Sequence, residues 1–123
     1  FLSTFTMSEA IKVFNNFNKK EKYDSLFSVN KVQTRFYSGK GTPINHDPNE
    51  LIRTQDLEPW YEENSCLYLF SKDSFLKTNA RIGKKPLMYE IPKLEAVDID
   101  TSEDWELAEA LGSFMKSNLK KNF

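Results

Sequence analysis

Val97-Asp98-Ile99-Asp100-Thr101-Ser102-Glu103-Asp104 sets two carboxylates one residue apart at the end of an apolar run and passes at once into a helix start. In an extended strand, side chains at i and i+2 point to the same face, so Asp98 and Asp100 can converge on one point. Such a pair suits a hard divalent cation. Magnesium takes oxygen ligands, commonly one or two carboxylates, with phosphate oxygens and water completing its octahedron. The alternative is that Asp100 caps the helix while Asp98 is solvated. A strand running straight into a helix is also the repeating unit of an alternating α/β chain, and the flanking sequence repeats it.

Upstream, Pro86 to Ile91 reads as a strand with Leu87, Tyr89 and Ile91 on one face, and Ala96 to Ile99 as a short further strand. Downstream, Thr101 opens a helix whose first turn carries Glu103 and Asp104, where the helix dipole favours acids. Its apolar stripe is Leu107, Ala108, Leu111, Phe114 and Met115, and Lys116, Lys120 and Lys121 suit its C-terminal end. Further back, Cys66 to Phe70 and Ser25 to Val29 read as buried strands, and Lys72 to Thr78 as a short helix. Thr6-Met7-Ser8-Glu9 fits a capping box with Thr6 as the cap. It opens a first helix reaching about Asn18, striped by Met7, Ala10, Ile11, Val13, Phe14 and Phe17. Between residues 33 and 49, Gly39, Gly41, Pro43 and Pro48 punctuate a polar stretch. It is long for a simple connection, which predicts a functional or interface excursion. The alternation as a whole predicts an α/β layered fold in one domain, residues 1–123.

A chain of 123 residues, 39% of them apolar, can build a real core. Seventeen basic against eighteen acidic side chains leave a net charge of -1, so no global field gathers nucleic acid or an anionic membrane, and neither is expected as a partner. The single cysteine, Cys66, excludes an intramolecular disulfide. No apolar stretch approaches the roughly 18 residues of a membrane span, and a cytoplasmic location is the default expectation. The chain opens Phe1-Leu2-Ser3 without an initiator methionine, inside what reads as an ordered segment, so a piece of a longer protein is expected.

Other candidates carry alternatives. Arg53, in the polar run Arg53 to Pro59, has the planar fork that binds a carboxylate or phosphate through two hydrogen bonds, or it is simply a loop residue. Asn64, just before the Cys66 strand, either offers an amide to a ligand or serves a turn. Tyr68 faces opposite to Leu67 and Leu69, so it presents a hydroxyl into a cleft or fills a core. The only histidine, His46, has no cysteine or second histidine nearby, and zinc binding and a histidine-based triad lack support. Four glycines leave no glycine-rich phosphate loop of either common type.

Taken in order, Asp24 to Val29 (D-S-L-F-S-V), Arg53 to Pro59 (R-T-Q-D-L-E-P), Tyr61 to Ser65 (Y-E-E-N-S), Leu67 to Phe70 (L-Y-L-F) and Val97 to Asp104 (V-D-I-D-T-S-E-D) resemble the C-terminal half of the acylneuraminate cytidylyltransferases. That family includes CMP-sialic acid synthetases and is related to CMP-Kdo synthetases. The resemblance implies a Rossmann-like three-layer αβα nucleotidyltransferase fold, magnesium, and the reaction of CTP with an acidic nine- or eight-carbon sugar to give CMP-sugar and pyrophosphate. It implies that Asp98 and Asp100 are the catalytic, metal-binding pair. Arg53 and Gln55 match an R-x-Q element near the sugar, Asn64 an asparagine-glycine turn, and Tyr68 a tyrosine of the sugar pocket. Ser65 departs from the pattern, which has glycine there.

The resemblance also implies a homodimer, formed through an excursion matching residues 33–63, for which Phe36, Tyr37, Trp60 and Tyr61 would supply aromatic anchors. The family's basic, glycine-rich CTP loop has no counterpart here, so the isolated chain is expected to be inactive. Two rivals remain from the residues. One is a nucleotide-sugar glycosyltransferase using a D-x-D pair, against which the helix after Thr101 and the R-T-Q-D-L-E-P run both argue. The other is a non-catalytic dimerisation module whose acids only cap a helix.

Overall fold

A computed structural model of the chain describes residues 2–20, 22–97 and 101–121. Helix α1 spans Thr4–Lys19, β1 Ser25–Val32, β2 Trp60–Phe70, α2 Lys72–Thr78, β3 Pro86–Glu90 and α3 Ser102–Lys121. The three strands form one mixed sheet in the order β2-β1-β3, with β1 antiparallel to β2 and parallel to β3. The result is a small α/β arrangement. Central position explains the burial of β1: Ser25, Leu26, Ser28 and Val29 are all buried, because neighbours flank the strand on both edges. Ala10 and Phe14 of α1, Leu57, Ile91 and Ala108 complete the described core.

Expectation and structure coincide at α2, where Ser71 caps the helix by accepting from Ser74 N and Asn79 ends it in the left-handed conformation at φ 54°. They differ elsewhere. The cap of α1 is Ser3, not Thr6: Ser3 Oγ accepts from Thr6 N at 3.0 Å. Thr6 is withdrawn from capping because its hydroxyl donates to Glu95 Oε2 at 3.0 Å, a bond across 89 residues that no local pattern reveals. Strand β2 starts at Trp60 rather than Cys66, and β1 continues to Val32, because the two pair along Val29–Val32 and Trp60–Glu63. Residues 96 and 97 carry no strand: a 3-10 turn at Lys93–Glu95 precedes them, and residues 98–100 of the expected fourth strand lie outside those described. Of the apolar stripe expected on α3, Ala108 is buried whereas Leu107 and Phe114 are exposed.

The stretch from 33 to 59 is built rather than loose. Residues 36–44 close a small hairpin through Ile44 N to Phe36 O at 3.0 Å and Ser38 N to Thr42 O at 2.8 Å, with Phe36 stacked on Trp60. Gln33 Nε2 ties the feet of the excursion together by donating to the carbonyls of Gln55 and Leu57, at 3.1 and 3.0 Å. Tyr37, Ile44, Ile52, Trp60 and Tyr61 are exposed on it, and Leu51 is 98% exposed.

Glu95 links the 3-10 turn to α1 by accepting from Ser3 N and Thr6 Oγ1. Burial opposes its ionisation, but the bonds from Ser3 and Thr6 outweigh that and hold the carboxyl below the usual carboxylate range. A folded pKa below the ordinary 4.5 means that Glu95 stabilises the fold above that pH and loses the effect as pH falls through its folded value. Glu95→Gln should therefore cost roughly 1 kcal/mol in urea unfolding at pH 7, and the gap should close in acid. A gap unchanged down to pH 3 would refute the assignment.

Candidate functional site

The order of β1 and β2 is broken at one place, and that break sets the local geometry. Phe27 pairs with Tyr68 and Val29 with Glu63, so Ser28 alone stands opposite residues 64–67. The extra chain turns through Ser65, whose φ of 59° is left-handed. Asn64 fills the turn from inside. Its Oδ1 accepts from Ser28 Oγ and from Cys66 N, and its Nδ2 donates to Asn30 Oδ1 at 3.1 Å. Ser28 Oγ in turn accepts from Leu67 N at 2.9 Å. The Asn64 amide is thus engaged within the sheet. Ser65→Gly should raise stability by about 0.5–1 kcal/mol, since a left-handed backbone costs serine energy that glycine does not pay, partly offset by unfolded-state entropy. Thermal melts of the two proteins would read the difference, and a lowered midpoint would contradict it.

Beyond the turn, Tyr68 reaches a cleft of about 360 Å³ lined by Glu63, Phe75, Asn79, Ala80, Arg81 and Ile82. The Tyr68 hydroxyl donates to Glu63 Oε2 at 2.6 Å and approaches Ser65 Oγ at 3.2 Å. The Arg81 guanidinium lies over the Tyr68 ring, 4.2 Å from its centroid. Sequence reasoning did not single out Arg81. Nothing in its spacing connects it to Tyr68; the two meet because α2 and its Asn79 cap turn the chain back over the end of β2. The only available signal was a basic residue soon after a predicted helix stop.

The other expected residues lie elsewhere. Arg53 Nε donates to Asp56 Oδ2 at 3.1 Å in an exposed pair at the start of a 3-10 turn, Thr54–Asp56, and Gln55 is exposed in that turn. Neither they nor Asn64 line the Tyr68 cleft. Asp98 and Asp100 lie outside the described residues. As donors, two carboxylates fit a hard cation; among the described residues no cluster of three or more His, Cys, Asp or Glu side chains is placed to hold one.

A second and larger cleft, about 740 Å³, opens where β1 and β3 end, between Asn30, Gln33, Glu62, Glu90 and Lys93. Carboxyl ends of parallel strands are where open α/β sheets place ligands. From this rim the chain continues into the Lys93–Glu95 turn. No helix among the described residues is long and apolar enough to cross a membrane.

A small mixed α/β sheet with clefts at strand ends serves many activities and names none of them. No family model matches the chain. The chain is similar to N-acylneuraminate cytidylyltransferase of Streptococcus agalactiae serotype III (strain NEM316), 26% identical over 91 residues that cover 73% of this chain and 20% of the relative. It is also similar to N-acylneuraminate cytidylyltransferase A of Danio rerio, 30% identical over 112 residues, 84% of this chain and 24% of the relative. The chain spans about a fifth to a quarter of the length of these relatives.

Proposed function

We propose that this chain is part of a cytidylyltransferase that transfers CMP from CTP to a nonulosonic, sialic-acid-like sugar, and that it corresponds to the C-terminal half of the catalytic domain. The observation that carries the proposal is the likeness to N-acylneuraminate cytidylyltransferases over 84% of the chain. The mixed sheet and its flanking helices would then be one portion of a Rossmann-like three-layer fold. In the reaction a sugar hydroxyl forms a bond to the α-phosphorus, the bond between that phosphorus and the bridging oxygen breaks, and pyrophosphate leaves.

Asp98 and Asp100 would hold magnesium, which when bound supplies charge stabilisation to the phosphates. Arg53, Gln55, Asn64 and Tyr68 would serve the sugar side: Tyr68 directly, through its cleft, and Asn64 by holding the turn that positions it. Residues 33–63 would form the homodimer contact through the exposed aromatic and aliphatic side chains of the excursion. The chain alone would be inactive, the CTP loop being elsewhere in a longer cytoplasmic protein.

The test is pyrophosphate release from CTP by the intact gene product with a panel of nonulosonic acids and magnesium, run beside the 123-residue chain alone. Release with one acid, and none from the chain alone, is the expected result. No release with any acid would overturn the proposed function.

A further inference from the structure

Arg81 is the one cationic side chain among the described residues that line the Tyr68 cleft. Its guanidinium is positioned by the Tyr68 ring, and it forms no ion pair with any described residue. Glu63 shares the cleft, but its carboxylate accepts from the Tyr68 hydroxyl and lies beyond ion-pair distance of Arg81. Arg53, by contrast, already has Asp56 as a partner. A guanidinium stacked on an aromatic face keeps its edge N–H groups free for the two parallel bonds that a carboxylate accepts.

The rest of the lining sets the ligand's other parts. The Glu63 carboxylate and the oxygen of the Tyr68 phenol that donates to it lie side by side as acceptors for sugar hydroxyls, while Phe75 and Ile82 offer apolar surface. One anionic group, several hydroxyls and an apolar substituent describe an acidic sugar bearing an acyl group better than a nucleotide, whose triphosphate would set several negative charges, not one, against a single guanidinium with Glu63 in the same cleft. Resting on the proposed cytidylyl transfer, we infer that Arg81 binds the sugar acid's carboxylate and is a specificity-determining residue of this protein.

The experiment uses the intact gene product and its Arg81→Ala and Arg81→Lys variants. N-acetylneuraminic acid and its C1 amide serve as paired probes, the amide lacking the negative charge and presenting an NH2 in place of one acceptor oxygen. Arg81→Ala should raise KM for the acid by tenfold or more, leave KM for CTP within twofold, and abolish the parent's preference for acid over amide. Arg81→Lys should restore part of that preference, because it returns the charge without the fork. An unchanged acid-to-amide preference in Arg81→Ala, or a raised KM for CTP instead, would overturn the inference. Equilibrium binding of the free acid without CTP reads the same question apart from turnover. A tenfold loss in Arg81→Ala supports the assignment, whereas equal affinity, or no binding by the parent, overturns it. Binding kept without any pyrophosphate release would overturn cytidylyl transfer and leave the Arg81 contact standing.

Discussion

Replacing Asp98 or Asp100 by alanine in the intact gene product is expected to lower pyrophosphate release by about a thousandfold or more, with the protein still folded. The size follows from what the pair would do. A divalent ion on the phosphates supplies several kcal/mol of charge stabilisation, and each 1.36 kcal/mol is a factor of ten in rate. If the two carboxylates share one ion, as proposed, loss of either would leave a single anionic ligand for a cation that gives up water reluctantly. The loss should therefore appear in kcat even at high magnesium, and raising the metal concentration should recover only part of it. Near-parental turnover in both variants would refute the metal assignment and return the two acids to helix capping and solvation. Thr101 Oγ1 accepts from Asp104 N, and Asp104 Oδ2 from Thr101 N, both at 3.1 Å, a reciprocal pair at the start of α3.

Asp24→Ala carries the largest expected loss of stability, about 2–4 kcal/mol in urea unfolding. The Asp24 carboxylate accepts from Ser25 Oγ at 2.9 Å and from the backbone N–H groups of Lys84 and Lys85 at 3.0 and 3.1 Å. Its own N–H donates to Lys85 O at 3.0 Å. These bonds seat the start of β3 beside the start of β1. Bonds to a charged acceptor are worth about 1.5–3 kcal/mol each, discounted here because two of the donors are exposed. The chain comes so close at this point that a Cβ on Gly83 would collide with Ser74 Oγ and with the Asp24 carboxylate. Asp24→Asn, which keeps one acceptor oxygen, should fall between parent and alanine. A loss under 1 kcal/mol for Asp24→Ala would mean that the parallel pairing holds β3 without this latch.

What could be read from the sequence was what is local. The limits of α2, the burial of Ser25 to Val29 and the helix start at Thr101 each follow from a cap, an apolar run or acids in a first turn. What escaped depends on distant chain. Thr6 looked like a cap because its hydroxyl's true partner, Glu95, is remote. The polar residues Glu62 and Glu63 do not look like strand, and they become strand because they pair with Asn30 and Val29 of β1, not because they are buried. For Tyr68 the alternation left cleft and core both open, and Arg81 was not legible at all, since their meeting needs the reversal after α2.

Strand β1 has a further consequence, for the order of folding. Both of its partners are remote along the chain, and residues 33–59 must be spanned before β2 can pair and residues 33–85 before β3 can. Loops closed early cost entropy before any contact repays it, so a sheet built on such a strand forms slowly. The Gln33 amide, holding the carbonyls of Gln55 and Leu57, brings the two ends of the excursion together and makes the β1–β2 connection behave as a much shorter one. The excursion is in this sense a folding device as well as a surface: the ribbon of β1 and β2 can zip from its foot towards Phe70, and β3 then docks along the other edge of β1.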